Sequence, residues 1–159
     1  MSVNSLVDTD TRLIVDRVAH TIRFVRTFSA SRSDIFNAWT QPEQVARWWD
    51  PSGAPLEECE IDLRPGGAFK FAARGLQHAF DGIYREIVPP DHLVFDAMGA
   101  IGTVALTESG DQTVMTVTIA CSSAAHLDQF MAMGVDAGTA RTLDNLVVYI
   151  RDAGNAART

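Results

Sequence analysis

Cysteine is scarce in this chain, and its scarcity argues against a disulfide-stapled fold. Only Cys59 and Cys121 occur among 159 residues, and neither lies in a CxxC pair or beside a histidine. Disulfide frameworks need several cysteines, so we expect two free thiols that are buried or half-buried. The four histidines are scattered and match no metal-ligand spacing, so we expect neither a metal site nor a cofactor.

Positive charge and long hydrophobic runs are also lacking. The chain has 13 Lys and Arg against 20 Asp and Glu, a net charge of −7. Nucleic acids and anionic membrane surfaces both require concentrated positive charge, so neither is expected as a partner. No run approaches the roughly 18 apolar residues of a membrane span, and residues 1–10 lack the apolar core of a signal peptide. We expect a cytoplasmic protein whose partner is a neutral or weakly charged small molecule, or another protein.

The sequence does contain a succession of short strand patterns. Residues 21–28 (TIRFVRTF) alternate between two faces, although Arg26 interrupts the apolar one. Ser31 or Ser33 then caps a short helix, and a second short helix follows Pro42. Further strands are predicted at 58–63, 68–73, 80–88, 93–97, 101–107 and 113–121. Because only short turns join them, these strands must pair antiparallel.

Two local features refine this strand pattern. Glu58, Glu60 and Asp62 alternate with apolar residues, which predicts one acidic, wet face and one buried face. Asp81-Gly82 could form a hairpin turn. We interpret it as a bulge inside a strand, because the Pro-Pro-Asp sequence at 89–91 supplies the turn.

After Ser122 the apolar period changes to three and four residues, which is typical of a helix. The stripe consists of Leu127, Phe130, Met131, Gly134, Val135, Gly138, Thr142, Leu146 and Ile150. It predicts one helix of about thirty residues, roughly 45 Å long. The expected fold is α+β: a curved antiparallel sheet around a long C-terminal helix, with two short helices after the first strand. We expect a partly ordered extension at 1–19, a single domain at 20–153 and a tail at 154–159.

Six motifs in order along the chain carry a resemblance to a known family. They are RTFSAS at 26–31, WTQPE at 39–43, RWW at 47–49, DLRPGG at 62–67, GIYRE at 82–86 and VPPDHLVF at 88–95. Over residues 20–152 the chain resembles bacterial proteins similar to the C-terminal domain of the activator of heat shock protein 90 ATPase. These proteins belong to the superfamily of START-related and birch-pollen-allergen-like (SRPBCC) domains.

The resemblance implies a helix-grip fold with a cavity between the concave sheet face and the final helix. The superfamily includes carriers, ligand sensors, aromatase/cyclase enzymes and co-chaperones, so the resemblance implies no single reaction. Many relatives carry a Gly-Trp pair where this chain has Gly134-Val135. A smaller side chain at that position would enlarge the cavity.

The candidate ligand-binding residues are aromatic, or lie on the apolar stripe of the final helix. They are Trp48, Trp49, Phe69, Phe71, Phe80, Tyr84, Phe95, Phe130, Met131, Gly134, Val135 and Gly138. Adjacent tryptophans on a helix point about 100° apart, so either one packs in the core and one faces the cavity, or both anchor the helix. The two glycines leave a strip of helix bare, either for a ligand or for close packing against the sheet.

His78, Asp81 and Tyr84 form the one polar trio that we consider for catalysis. The sequence contains no nucleophile elbow, no Ser/His/Asp order and no phosphate-binding glycine loop. It therefore favours non-catalytic binding of a small hydrophobic or amphipathic molecule, without a cofactor. Two alternatives stay open: a cyclase-like or hydrolase-like enzyme, and a protein-interaction domain with a protein partner or a homodimer.

Overall fold

In residues 11–75 and 79–158, which the computed structural model describes, eight strands form a single sheet. The strands are β1 (Arg12–Asp16), β2 (Thr21–Phe28), β3 (Leu56–Ile61), β4 (Ala68–Ala73), β5 (Phe80–Val88), β6 (His92–Ala97), β7 (Ala100–Ser109) and β8 (Gln112–Ala120). Their order is β1-β2-β8-β7-β6-β5-β4-β3, and every described pair is antiparallel. The predicted antiparallel sheet is confirmed.

The helices lie before and after the long series of strands. They are α1 (Arg32–Thr40), α2 (Pro42–Trp48), α3 (Ala124–Ala132) and α4 (Val135–Arg158). Ser31 rather than Ser33 caps α1, since its hydroxyl accepts a hydrogen bond from the Asp34 N–H at 3.1 Å. Pro42 occupies the first position of α2, where its missing N–H costs nothing. The longest helix is the C-terminal one, as predicted.

The first strand lies inside the segment that the sequence assigned to an N-terminal extension. Leu13 pairs with Phe24 and Val15 with Ile22, so β1 adds an edge strand beside β2. The sheet therefore begins before residue 20, where the sequence places the start of the domain. The run from Arg12 to Asp16 is short and shows no alternation, because Leu13, Ile14 and Val15 are all apolar.

Two details of the central strands differ from the sequence prediction. The strand predicted at 58–63 runs from Leu56 to Ile61, and Leu63, expected on the buried face, is 40% exposed in the following turn. The predicted bulge at Asp81-Gly82 is wrong, because β5 pairs regularly with β4 there and its register shift with β6 lies between Tyr84 and Glu86. The strand does continue through residues 81 and 82, as predicted.

The predicted single C-terminal helix is broken into α3 and α4 at Gly134. This residue has φ of +76°, a conformation that glycine adopts without steric cost. Met133 caps α3, its N–H donating to the Gln129 carbonyl, and α4 starts at Val135. The glycine thus ends a helix instead of leaving a strip of helix bare.

The core lies between the concave face of the sheet and α4. Leu143 and Leu146 of α4 are fully buried, as are Ile22 and Phe24 of β2. Arg26, which interrupts the alternation of β2, points into the same layer, where it is 6% exposed with its Nη1 atom 3.6 Å from Asp144 Oδ1. An ion pair with the helix offsets part of the cost of burying this charge, while the Arg26 Nε atom is buried without a hydrogen-bond partner among the described residues.

Candidate functional site

A cavity of about 250 Å³ separates the first turns of α4 from the sheet. The core-facing residues of β7 explain its position, because two small residues at one end are followed by two larger ones. Ala100 and Gly102 leave space at one end, whereas Val104 and Leu106 fill the core at the other. The sheet therefore packs tightly against the helices at one end and leaves an opening at the other.

The floor of the cavity is formed by β6, β7 and β8. Phe95 pairs with Gly102 across β6 and β7, and its ring lies over the glycine. A Cβ at residue 102 would lie 2.5 Å from Phe95 Cε2, so only glycine allows the ring this position. Val117 and Ile119 of β8 continue the floor.

Aromatic rings form one side wall. Trp49 is central to it, with its ring centroid 5.1 Å from that of Phe80 and 6.2 Å from that of Trp39. All three residues line the cavity, as does Phe130 of α3. Such tilted and edge-to-face pairs stabilise the wall, since each contributes energy beyond that of its buried area.

The two adjacent tryptophans have different surroundings. Trp48 is 1% exposed, its Nε1–H donates to the Ala38 carbonyl at 3.0 Å, and its ring packs on Trp39 at 4.9 Å. Trp49 is half-buried and lines the cavity. One therefore lies in the core and the other at the cavity, which is the first of the two arrangements that the sequence left open.

A second group of predicted residues packs behind the aromatic wall rather than lining the cavity. Phe69, Phe71 and Tyr84 are buried, and the ring centroids of Phe69 lie 5.2 Å from Phe71 and 5.1 Å from Tyr84. The gap beside them measures only about 20 Å³, far below the size of an organic ligand. This cluster supports the wall.

Helix α4 supplies the roof. Val135, Gly138 and Thr139 line the cavity, and a Cβ built at Gly138 would meet no atom within 4 Å. The sequence left two interpretations of Gly138, space for a ligand or close packing against the sheet. The structure fits the first, because close packing would place an atom near this Cβ position. Met131 is half-buried against the core, and neither it nor Gly134 lines the cavity.

Polar side chains of α4 hold the loop that carries Trp49. The Thr142 hydroxyl donates to the Trp49 carbonyl at 3.0 Å, and the Asn145 amide donates to the Asp50 carbonyl at 2.9 Å. Tyr149, one turn further, donates to Gln44 Oε1 at 3.1 Å. Because these three residues lie three and four positions apart, they share one face of the helix.

The mouth of the cavity lies at the turn between β6 and β7. Met98 lines it, is 49% exposed and has φ of +54°, which is unusual for a residue other than glycine. His126 holds this turn: its Nδ1 accepts from the Ser122 N–H at 3.0 Å, so Nε2 carries the proton that reaches the Met98 carbonyl at 3.1 Å. The His126 ring also packs on Phe130, 4.6 Å between centroids.

The candidate catalytic residues do not assemble into a described site. His78 lies outside the described residues. Asp81 is exposed, whereas Tyr84 is buried on the opposite face of β5. Burial, and then the nearby Cys59, raise the pKa of Tyr84, so its phenol stays protonated.

The described part of the cavity wall has a uniform chemistry. None of its described residues is charged, and the Thr142 hydroxyl is already engaged by a backbone carbonyl. Nor do the described side chains contain a group of three His, Cys, Asp or Glu residues able to hold a metal ion. Across the same part of the chain, no helix is long and apolar enough to cross a membrane.

Several wall residues were absent from the sequence prediction. They are Trp39, Pro51, Ala97, Met98, Ala100, Gly102, Val117, Ile119, Thr139, Thr142 and Leu143. One signal in the sequence could have indicated part of this set. The change from the small residues Ala100 and Gly102 to the larger Val104 and Leu106 marks the open end of the sheet.

A curved antiparallel sheet with an apolar cavity beneath its C-terminal helix defines the helix-grip class of START-like proteins. Residues 29–151 match the family described as Activator of Hsp90 ATPase homolog 1-like protein. The chain belongs to this family, and the predicted family and fold are confirmed. A comparison with curated proteins finds no significant match to the chain.

Solved bacterial structures have the same fold. A protein from Mycobacterium smegmatis is 20% identical with a TM-score of 0.79, over 91% of this chain and 99% of that one. A protein from Arthrobacter aurescens is 22% identical with a TM-score of 0.78, over 89% and 91% of the two chains. One from Chromobacterium violaceum is 27% identical with a TM-score of 0.68, over 80% and 95%.

Proposed function

We propose that this protein binds a small hydrophobic molecule non-covalently in the cavity beneath α4, without a cofactor. The observation that supports this proposal is the cavity, about 250 Å³ of space whose described wall is uncharged and includes several aromatic rings. Ligand pockets are typically concave and predominantly apolar in this way. A fold family that includes ligand carriers is compatible with the same function.

The ligand-contacting residues in this proposal come from both sheet and helices. They are Trp39, Trp49, Phe80, Phe95, Phe130, Val135, Gly138 and Thr139. Trp48, Phe69, Phe71 and Tyr84 support the wall from behind. Cytoplasmic residence is part of the proposal, because Cys59 and Cys121 are free thiols, and reducing compartments keep thiols free.

Calorimetric titration with naphthalene, an uncharged apolar probe, tests the proposal. Val135→Trp places a large ring into the cavity and should abolish the binding heat. Val148→Trp is the matched control, since Val148 lies on the same helix but is 50% exposed. It should bind like the parent protein.

The opposite result would favour a different role. If the parent protein binds no probe, and non-denaturing mass spectrometry of freshly purified protein finds no retained small molecule, the binding proposal is wrong. The family description refers to a chaperone ATPase activator, and a protein-interaction role would then become the better hypothesis. Enzymatic activity is not proposed, because the two described polar candidates, Asp81 and Tyr84, lie on opposite faces of β5.

A further inference from the structure

The dimensions of the cavity restrict the size of its ligand. A cavity of about 150 Å³ inside a protein holds benzene, so the observed volume of about 250 Å³ leaves room for roughly ten carbon atoms by simple scaling. This is below the range of about 300 to 1,000 Å³ that drug-sized ligands occupy. A longer chain or a larger ring system would leave apolar surface in water, where it gains no binding energy.

The space cannot extend far toward the opposite end of the sheet. Beyond Gly102, the core-facing side chains of β7 are Val104 and Leu106, which are 1% and 2% exposed. On α4 the cavity likewise ends at Leu143, which is fully buried. A ligand that enters past Met98 therefore meets a closed apolar end just beyond Gly102.

The wall also restricts the charge of the ligand. None of the described lining residues carries a charge that could form an ion pair with a carboxylate, a phosphate or an ammonium group. Contact with an aromatic face attracts an ammonium group, but more weakly than the loss of its hydration disfavours it. Transfer of an unpaired ion from water into such a wall is strongly unfavourable. Of the two lining threonines, Thr142 donates its hydroxyl proton to the Trp49 carbonyl, which leaves Thr139 as the threonine able to donate to a ligand.

The arrangement of the rings favours an aromatic ligand over an aliphatic one. Trp49 and Phe80 lie at 34° to each other, and Phe95 forms part of the floor beneath the space. Aromatic rings stack or meet edge to face with an energy beyond that of area burial alone. An aliphatic molecule of equal volume forgoes this contribution.

We infer that the cavity takes an uncharged aromatic molecule of about two fused rings, carrying no more than a single small polar group such as a hydroxyl or a carbonyl. This inference rests on the proposed function and narrows it to one class of ligand. Long-chain fatty acids, phospholipids and four-ring compounds are outside the class. Charged two-ring compounds are outside it as well.

Calorimetric titration with five probes at neutral pH tests the restriction on ligand size and the restriction on ligand charge. Naphthalene against pyrene tests size. Three naphthalenes test charge: 2-acetylnaphthalene is neutral, 2-naphthoate has nearly the same shape with a negative charge, and 2-naphthylmethylammonium carries a positive one. Each titration is repeated on Val135→Trp to remove any binding outside the cavity.

The expected result is binding of naphthalene and 2-acetylnaphthalene, with both charged probes weaker than the ketone by at least about 100-fold. Pyrene should bind at least about 10-fold more weakly than naphthalene. All of this binding should disappear in Val135→Trp.

Other results overturn the inference in distinguishable ways. Pyrene binding more tightly than naphthalene would overturn the size restriction, and 2-naphthoate or the ammonium probe matching the ketone would overturn the charge restriction. In both cases hydrophobic binding in the cavity, the proposed function, would stand. If no probe binds to the parent protein, the inference and the proposed function fail together.

Discussion

Gly138 lies where α4 faces the sheet, and a Cβ at this position would meet no atom within 4 Å. Gly138→Leu should therefore fill empty space and relieve a helix-interior glycine, which costs under about 1 kcal/mol relative to a good helix former. We expect unchanged or higher stability in urea unfolding, together with loss of naphthalene binding.

Gly154→Leu provides the control for this substitution. Gly154 belongs to the same helix, is exposed and also has no atom within 4 Å of its ideal Cβ. This variant should keep full binding. If Gly138→Leu instead lowers the free energy of unfolding by about 1 to 3 kcal/mol, the position is closely packed and no ligand space exists there.

Met98 is a second position where a single substitution should change stability. It has φ of +54° and forms a two-residue hairpin turn with Gly99, whose φ is +78°. Turns with two positive φ values prefer asparagine and glycine. Met98→Asn should therefore raise the free energy of unfolding by about 0.5 to 1 kcal/mol. Met133→Asn is the comparison, since Met133 is also exposed but has φ of −80° and should show no gain. Equal effects at both positions would contradict this explanation.

His92 lies between two carboxylates, with its Nδ1 2.6 Å from Asp91 Oδ2 and its Nε2 in contact with Glu86. Hydrogen bonds to Asp91 and then to Glu86 raise the pKa of His92 above its ordinary value of 6.5. A raised folded-state pKa stabilises the protein below about pH 6.5, and this contribution is lost as the pH rises through the folded-state pKa.

The corresponding test compares the parent protein with His92→Gln in urea at about pH 5.5 and pH 8.5. The stability advantage of the parent should be larger at the lower pH. We expect at most about 1 kcal/mol, because the Glu86 and Asp91 side chains are each 55% exposed to solvent, which screens the ion pairs. An advantage that is constant, or that grows with pH, would refute the assigned ion pairs.

At the scale of elements, the break between α3 and α4 predicts that substitutions of two nearby glycines change stability in opposite directions. Gly134 has φ of +76° and ends α3, whereas Gly138 lies inside α4. Gly134→Ala should lower the free energy of unfolding by about 1 kcal/mol or more, because alanine is strained at positive φ. Gly138→Ala should raise it by up to about 1 kcal/mol.

Chemical denaturation of both alanine variants decides this point. If both variants raise the free energy of unfolding, a single continuous helix spans both positions, as the sequence pattern alone predicted. The break matters for the cavity, since it allows Phe130 of α3 and Val135 of α4 to line the same space.

At the scale of the whole molecule, a bound ligand should stabilise the fold by mass action. Naphthalene at about 100 times its dissociation constant would add about 2.7 kcal/mol. For a chain of this length that corresponds to a rise in melting temperature of roughly 5 to 10 °C. Differential scanning calorimetry measures the rise, and Val135→Trp should show none. If naphthalene does not raise the melting temperature of the parent protein, this result would contradict binding in the cavity.

Much of the architecture is determined by the sequence alone. Alternation with period two, short turns between strands and Pro42 at a helix start are local signals, and they predicted β2, β4 and β5 with their observed bounds. The family motifs predicted the helix-grip fold. The sequence did not predict the edge strand β1 or the helix break at Gly134, because a five-residue run and a single glycine are weak signals without knowledge of the residues that pack against them.

The composition of the cavity wall is decided by the tertiary structure. Trp48 and Trp49 are chemically identical, and only the packing of α2 sends one into the core and the other to the cavity. Likewise, Phe95 lines the cavity because it lies opposite Gly102, a residue seven positions away that joins it through strand pairing. Sequence periodicity fixes the face on which a ring lies, whereas the side chains on neighbouring strands and helices determine whether the space beside it is filled.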